Sequence, residues 1–136
     1  MKTIVSDLDG TLLNSYGVVD PFTKEVLNTS PIYRIIATGR SYKTASPLLK
    51  GVDIDYYVLL NGAECRNSQG DILYKENIDL KIAHTIINSL LERHIDFEIN
   101  TKEGDYSTDN VFCDTTAQLT EQHLHDFKEI RKIFVF

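Results

Sequence analysis

The sequence predicts an α/β protein: a parallel sheet with helical crossovers over residues 1–62, continued by an α+β segment over residues 63–136. Three observations carry that expectation. The apolar runs Thr3-Ile4-Val5, Tyr33-Arg34-Ile35-Ile36-Ala37 and Tyr56-Tyr57-Val58-Leu59-Leu60 alternate with helix-forming stretches, the pattern of parallel strands joined by crossovers. Each run opens into a polar loop: Asp7 to Thr11, Thr38 to Arg40, and Asn61-Gly62. Open parallel sheets bind ligands at the carboxyl ends of their strands, so three such loops are expected to form one site. After Gly62 the crossover pattern stops and a hairpin, a long helix and short strands take over.

Taken in order, Thr3 to Val5 is β-branched and reads as a strand buried on both faces. Asp7 and Asp9 come next, and Gly10 marks a turn where positive φ carries no Cβ penalty. Leu12-Leu13 and Val18-Val19 flank Asn14-Ser15-Tyr16-Gly17 and suggest a small hairpin. Asp20-Pro21 starts a brief helix to about Asn28, with Asp20 as N-cap and Pro21 at the first helical position. Ser41 is placed to cap a helix to about Leu49, shortened or kinked at Pro47.

In the second part, Ala63 to Arg66 and Ile72 to Lys75 read as a hairpin about Asn67 to Asp71. Asp79 caps a helix expected over Leu80 to His94, with Leu80, Ala83, Ile86, Ile87, Leu90 and Leu91 recurring at helical spacing. Phe97 to Ile99, a segment around Val111 to Cys113, and Lys132 to Phe136 are expected strands; Thr120 to about Glu129 is an expected helix with Leu124 and Phe127 inward.

Asp-Leu-Asp-Gly alone is a common polar turn. At the end of a buried strand, two carboxylates one residue apart also suit a hard divalent cation such as Mg²⁺, with an oxygen left over as nucleophile or general acid/base. The fuller string Ser6-Asp7-Leu8-Asp9-Gly10-Thr11, directly after a β run, resembles motif I of the haloacid dehalogenase (HAD) superfamily. Ala37-Thr38-Gly39-Arg40 is similar to motif II, and Asn61-Gly62-Ala63 to the junction into the large cap of the Cof-type sugar-phosphatase-like branch. The resemblance implies a HAD-like Rossmannoid core of which three strands are present, followed by part of an α+β cap. It implies a Mg²⁺-dependent phosphatase of small phosphorylated metabolites such as sugar phosphates, working through an aspartyl-phosphate.

Residue by residue, the resemblance makes Asp7 the nucleophile and a metal ligand. Asp9 would protonate the leaving alcohol, activate water and bind the metal through its carbonyl. Thr38 would hold phosphoryl oxygens, and Gly10, Thr11, Gly39 and Asn61 belong to the phosphate and substrate loops. Arg40 would counter negative charge near the substrate. The family's motif III Lys and motif IV acidic pair have no counterpart in this sequence, so the chain is expected to be truncated and inactive alone. A non-catalytic remnant acting through protein association and a phosphomutase-type transfer through the same Asp7 are the alternatives. Without the flanking strands of the family's sheet, Thr3 to Ser6 is expected at an exposed edge, which predicts a homo-oligomer.

Composition agrees with a globular domain: 136 residues, 42% hydrophobic and 25% charged. The net charge of −6 argues against a nucleic-acid partner, and no apolar run approaches membrane length. Cys65 and Cys113, far apart and outside any Cys-x-x-Cys pattern, read as buried reduced thiols of a cytoplasmic protein. His84, His94, His123 and His125 read as surface residues, since positions two apart on a helix do not face one site.

Overall fold

The computed structural model describes residues 2–109 and 117–136. The expected strand around Val111 to Cys113 lies outside the described residues. The chain divides into two compact units, Met1–Lys75 and Glu76–Phe136.

The first unit is built on a five-stranded sheet in the order β1-β2-β3-β4-β5. Its strands are β1 (Lys2–Ser6), β2 (Ile32–Ala37), β3 (Tyr56–Leu59), β4 (Glu64–Asn67) and β5 (Ile72–Lys75). β1, β2 and β3 pair in parallel, as their crossovers require, and β4 and β5 continue the sheet antiparallel. The hairpin therefore belongs to the first sheet, and the division between units falls at Lys75/Glu76 where the sequence suggested residues 62/63. A change of strand direction marks the sequence at Gly62; pairing of Val58 with Cys65 and Leu59 with Glu64 keeps the hairpin strands in the same sheet.

Helix α1 (Pro21–Thr29) starts as expected: the Asp20 carboxylate accepts the Thr23 N–H at 3.0 Å, and Pro21 sits in the first turn. Helix α2 (Tyr42–Ala45) gives way at Pro47 to a tighter 3₁₀ turn, Ser46–Leu49, as expected of a residue that cannot donate within the helix. Leu8, Leu13, Val19, Ile36, Ala45, Leu49, Tyr57 and Leu59 form the core on one face of the sheet.

Three further expectations for this unit are corrected. β1 is not buried on both faces: Ile4 and Val5 are exposed, because β1 is the sheet's edge and, among the described residues, one sheet face has no layer over it. Leu12 to Val19 forms no strands; the segment is a loop in which the Asn14 side chain accepts the Tyr16 and Val18 N–H groups. That Asx-type bonding occupies the N–H groups a hairpin ladder would have used. Cys65, expected to be buried, is free and half-buried.

The second unit has a four-stranded sheet in the order β8-β7-β6-β9. Its elements are α3 (Leu80–Glu92), β6 (Phe97–Thr101), β7 (Asp105–Ser107), β8 (Ala117–Gln118), α4 (Glu121–Asp126) and β9 (Ile130–Val135). Asp79 caps α3 by accepting the Lys81 and Ile82 N–H groups. Ala83 and Ile87 from α3 pack with Phe97, Ile99, Phe127 and Ile130. The apolar stripe is narrower than its spacing suggested: Leu80, Ile86 and Leu91 remain more than a third exposed.

α4 is shorter than expected because Phe127 turns to extended backbone and enters the core. His123 closes the capping box: its Nδ1 accepts the Thr120 N–H at 3.2 Å, and its ring lies against Tyr106 and Phe127. That is a structural use for one of the two paired histidines.

Candidate functional site

The carboxyl ends of β1, β2 and β3 lie side by side, and the three polar loops of the sequence meet there. Asp7 follows β1 directly; one of its carboxylate oxygens accepts the Leu8 N–H at 2.7 Å, fixing the side chain at the loop's start. The chain then makes a wide turn, Leu8–Leu12, closed by the Leu13 N–H on the Leu8 carbonyl at 2.9 Å. Gly10 sits in this turn at φ +69° with open space around it, so the requirement for glycine is conformational. Leu8 is fully buried and anchors the turn to the core.

Thr38, 6% exposed, continues β2 and donates its backbone N–H to the Val58 carbonyl of β3 at 2.9 Å. Its hydroxyl oxygen accepts the Arg40 N–H at 3.3 Å. The third loop is tied to the second by two backbone bonds, Leu60 N–H to the Arg40 carbonyl and Asn61 N–H to the Thr38 carbonyl. Leu60 and Asn61 both take left-handed backbone, at φ 53° and 57°. Asn tolerates that region; a branched, buried Leu does so at a cost of about 1–3 kcal/mol, strain of a kind that clusters at functional loops.

Asp7, Ala37, Thr38, Gly39, Val58, Asn61 and Gly62 line an open depression of about 380 Å³. Beside it, Arg40 grips Asp9 through a two-point ion pair, Nε to Oδ2 and Nη2 to Oδ1, each 2.8 Å. This fork geometry joins two loops 31 residues apart. Hydrogen bonding to Arg40 outweighs the small desolvation and holds the Asp9 carboxyl below its ordinary value.

The structure thus brings Asp7, Thr38, Gly39 and Asn61 around one depression, and sets Asp9 and Arg40 together as a pair. Gly10 and Thr11 are exposed in the adjoining turn and do not line it. Gly62, of the expected third loop, lines it as well, while sequence reasoning passed over Val58; its place near the end of a strand that opens into a polar loop was the available signal. Among the described residues no group of three or more acidic, His or Cys side chains could hold a metal ion. The donors present are carboxylate oxygens, hard ligands of the kind that divalent cations such as Mg²⁺ take.

A family model described as haloacid dehalogenase-like hydrolase matches residues 4–134. Phosphatase YwpJ of Bacillus subtilis is 31% identical over 114 residues, spanning 81% of this chain and 40% of that protein. Among solved structures, a haloacid dehalogenase-like hydrolase from Bacteroides thetaiotaomicron superposes with a TM-score of 0.83 at 19% identity, covering 98% of this chain and 57% of that one. The HAD subclass IIB sugar phosphatase BT4131 superposes with a TM-score of 0.76 at 21% identity, covering 96% of this chain and 56% of that one. The chain spans about half the length of the curated relatives first matched.

Proposed function

The chain belongs to the haloacid dehalogenase-like hydrolases, and on that basis we propose that it carries the nucleophile half of a phosphomonoesterase site for small phosphorylated metabolites such as sugar phosphates. The observation that carries this reading is the convergence of the Asp7 carboxylate and the Thr38 loop on one depression at the ends of adjacent parallel strands. Phosphoryl transfer asks mainly for in-line positioning, which this arrangement is suited to supply, and for neutralisation of oxygen charge, which bound Mg²⁺ would add. In the proposed reaction an Asp7 oxygen forms a bond to phosphorus as the ester P–O bond breaks. The leaving alkoxide takes a proton from Asp9, which is ionised while paired with Arg40 and takes that proton up from solvent once substrate competes for the guanidinium. Water, losing a proton to Asp9, then cleaves the aspartyl-phosphate.

Thr38 orients phosphoryl oxygens, and Arg40 holds Asp9 in place until substrate competes for its guanidinium. Asp7 and Asp9 would hold Mg²⁺, which when bound spreads the charge of the phosphoryl oxygens. Transfer to a second alcohol in place of water, a phosphomutase outcome, uses the same residues.

A second reading, association without catalysis, is favoured by one observation: among the described residues β1 has no partner strand on its outer side. Under that reading the isolated chain forms a homo-oligomer through β1.

The site is tested by Mg²⁺ titration followed by NMR. Amide shifts confined to Asp7–Thr11 and Thr38–Arg40, weak in affinity and abolished by Asp7→Asn, are expected. Shifts scattered over the acidic surface would remove the metal site from the reading.

A further inference from the structure

Glu64 and Arg66 stand two apart on β4, so the strand period sends both side chains to one face. There the Arg66 Nε–H donates to a Glu64 carboxylate oxygen, and Nη1 donates to the Gly70 carbonyl at 2.9 Å, in the hairpin turn. Glu64 is 1% exposed and stands in register with Leu59, itself fully buried. A charged pair in such surroundings is weak evidence for stability, because apolar residues of similar volume hold a core as well or better. What the pair supplies that apolar residues could not is a planar fork fixed in one orientation.

The fork lies against another element. Its central carbon is 4.7 Å from the centre of the Tyr42 ring, a cation–π distance, and Tyr42 opens α2 just after the Thr38–Arg40 loop. The Tyr42 ring in turn meets Tyr57 of β3 edge-on, with centroids 5.2 Å apart and planes at 86°. The hairpin turn leaves room for this ring: a Cβ on Gly70 would stand 2.9 Å from the Tyr42 hydroxyl oxygen, and Gly70 also takes φ +87°. A staple internal to the hairpin would need only Glu64, Arg66 and Gly70. Tyr42 is gripped from outside its own element.

Arg40 comes two residues before that grip. Its carbonyl accepts the Leu60 N–H at 3.1 Å, so the stretch from Arg40 to Tyr42 is held at both ends. Two residues span at most about 7 Å, which leaves the Arg40 backbone little play. Its guanidinium needs that restraint, since a two-point bond to Asp9 tolerates little displacement. We infer that Arg66, oriented by Glu64 and lying over Tyr42, is a positioning residue for the candidate site: it sets the Arg40 backbone and through it the pairing of Arg40 with Asp9. That this pairing serves phosphoryl transfer rests on the reading proposed above.

The experiment follows the Arg40 Nε–H resonance of the 136-residue chain by NMR at fixed pH, where a guanidinium N–H held in a two-point bond exchanges slowly with water. Arg66→Met, which keeps an apolar stem and removes the fork, and Tyr42→Leu should each lose that slowly exchanging signal and shift the Asp9 amide. Tyr42→Phe keeps the ring under the guanidinium and should retain the signal. Leu27→Ala, a buried change on α1, lowers stability and should leave the signal intact, which separates positioning from general destabilisation. Gly70→Ala alters no charged group yet pushes on Tyr42, so it should shift the Arg40 signal even where Arg66→Met fails to fold. A signal unchanged in both Tyr42→Leu and Gly70→Ala overturns the inference. So does its loss in Tyr42→Phe or in Leu27→Ala, or its fast exchange in the unsubstituted chain. The expected Arg40 effects in a chain whose Asp7–Thr11 amides do not respond to Mg²⁺ leave the positioning role standing and remove the metal site from the phosphatase reading.

Discussion

The Asp9–Arg40 pair makes a residue-level prediction about pH. Arg40 depresses the Asp9 carboxyl, so the pair's contribution to stability is complete above the ordinary aspartate range. It is lost as pH falls through the lowered folded value. In a carboxyl-detected NMR titration, Arg40→Gln should move the Asp9 midpoint upward, toward that of an ordinary aspartate. An unchanged midpoint would mean that the guanidinium does not govern Asp9. Both side chains are more than a third exposed, so the effect on global stability should be small. Gly10 gives a second residue-scale expectation: Gly10→Ala meets no atom, yet forces an L side chain to φ +69°. It should destabilise the chain by about 1–2 kcal/mol in denaturant unfolding.

At the scale of elements, α3 separates spacing from burial. Ile82 and Ile87 lie on one helix, but Ile87 is 1% exposed in the core and Ile82 faces outward. Ile87→Ala should cost about 2–5 kcal/mol. Ile82→Ala should stay within about 0.5 kcal/mol, as outward substitutions do. Urea unfolding of both variants checks the contrast; equal losses would mean that α3 packs through a different face. Asp79→Ala, which removes the acceptor for two first-turn N–H groups, should cost about 1 kcal/mol.

For the whole molecule, the β1 edge and the sheet face left open among the described residues set the behaviour of the isolated chain. Light scattering at micromolar concentration should show a dimer or higher oligomer, with slow amide exchange in β1 from intermolecular pairing. A monomer whose β1 amides exchange fast would show that the edge is tolerated unpaired. Turnover of generic phosphomonoesters by the chain alone should be close to background, since the proposed site has little cationic charge with which to stabilise a phosphoryl transition state. Robust Mg²⁺-dependent activity that disappears in Asp7→Asn would show that a cation of this chain, such as Arg40, meets that need.

Local features were legible in the sequence. The order of strand, polar loop and helix, the caps at Asp20 and Asp79, the glycine turn at Gly10 and the break at Pro47 all depend on contacts within a few residues. Asp7 and Thr38 were legible for the same reason, as the residues just past two apolar runs. Features that depend on partners distant in the chain came from the folded arrangement. Apolar β-branched composition marks β1 as a strand, while its exposure as an edge is set by the sheet order. The turn after Gly62 is visible in sequence, but the pairing of Val58 with Cys65 is what keeps the hairpin in the first unit. The spacing of Asp9 and Arg40 says nothing of their ion pair, since their meeting is set by the parallel register of β1 on β2. Local preferences are written residue by residue, whereas register and burial emerge only when separate segments compete for the same partners.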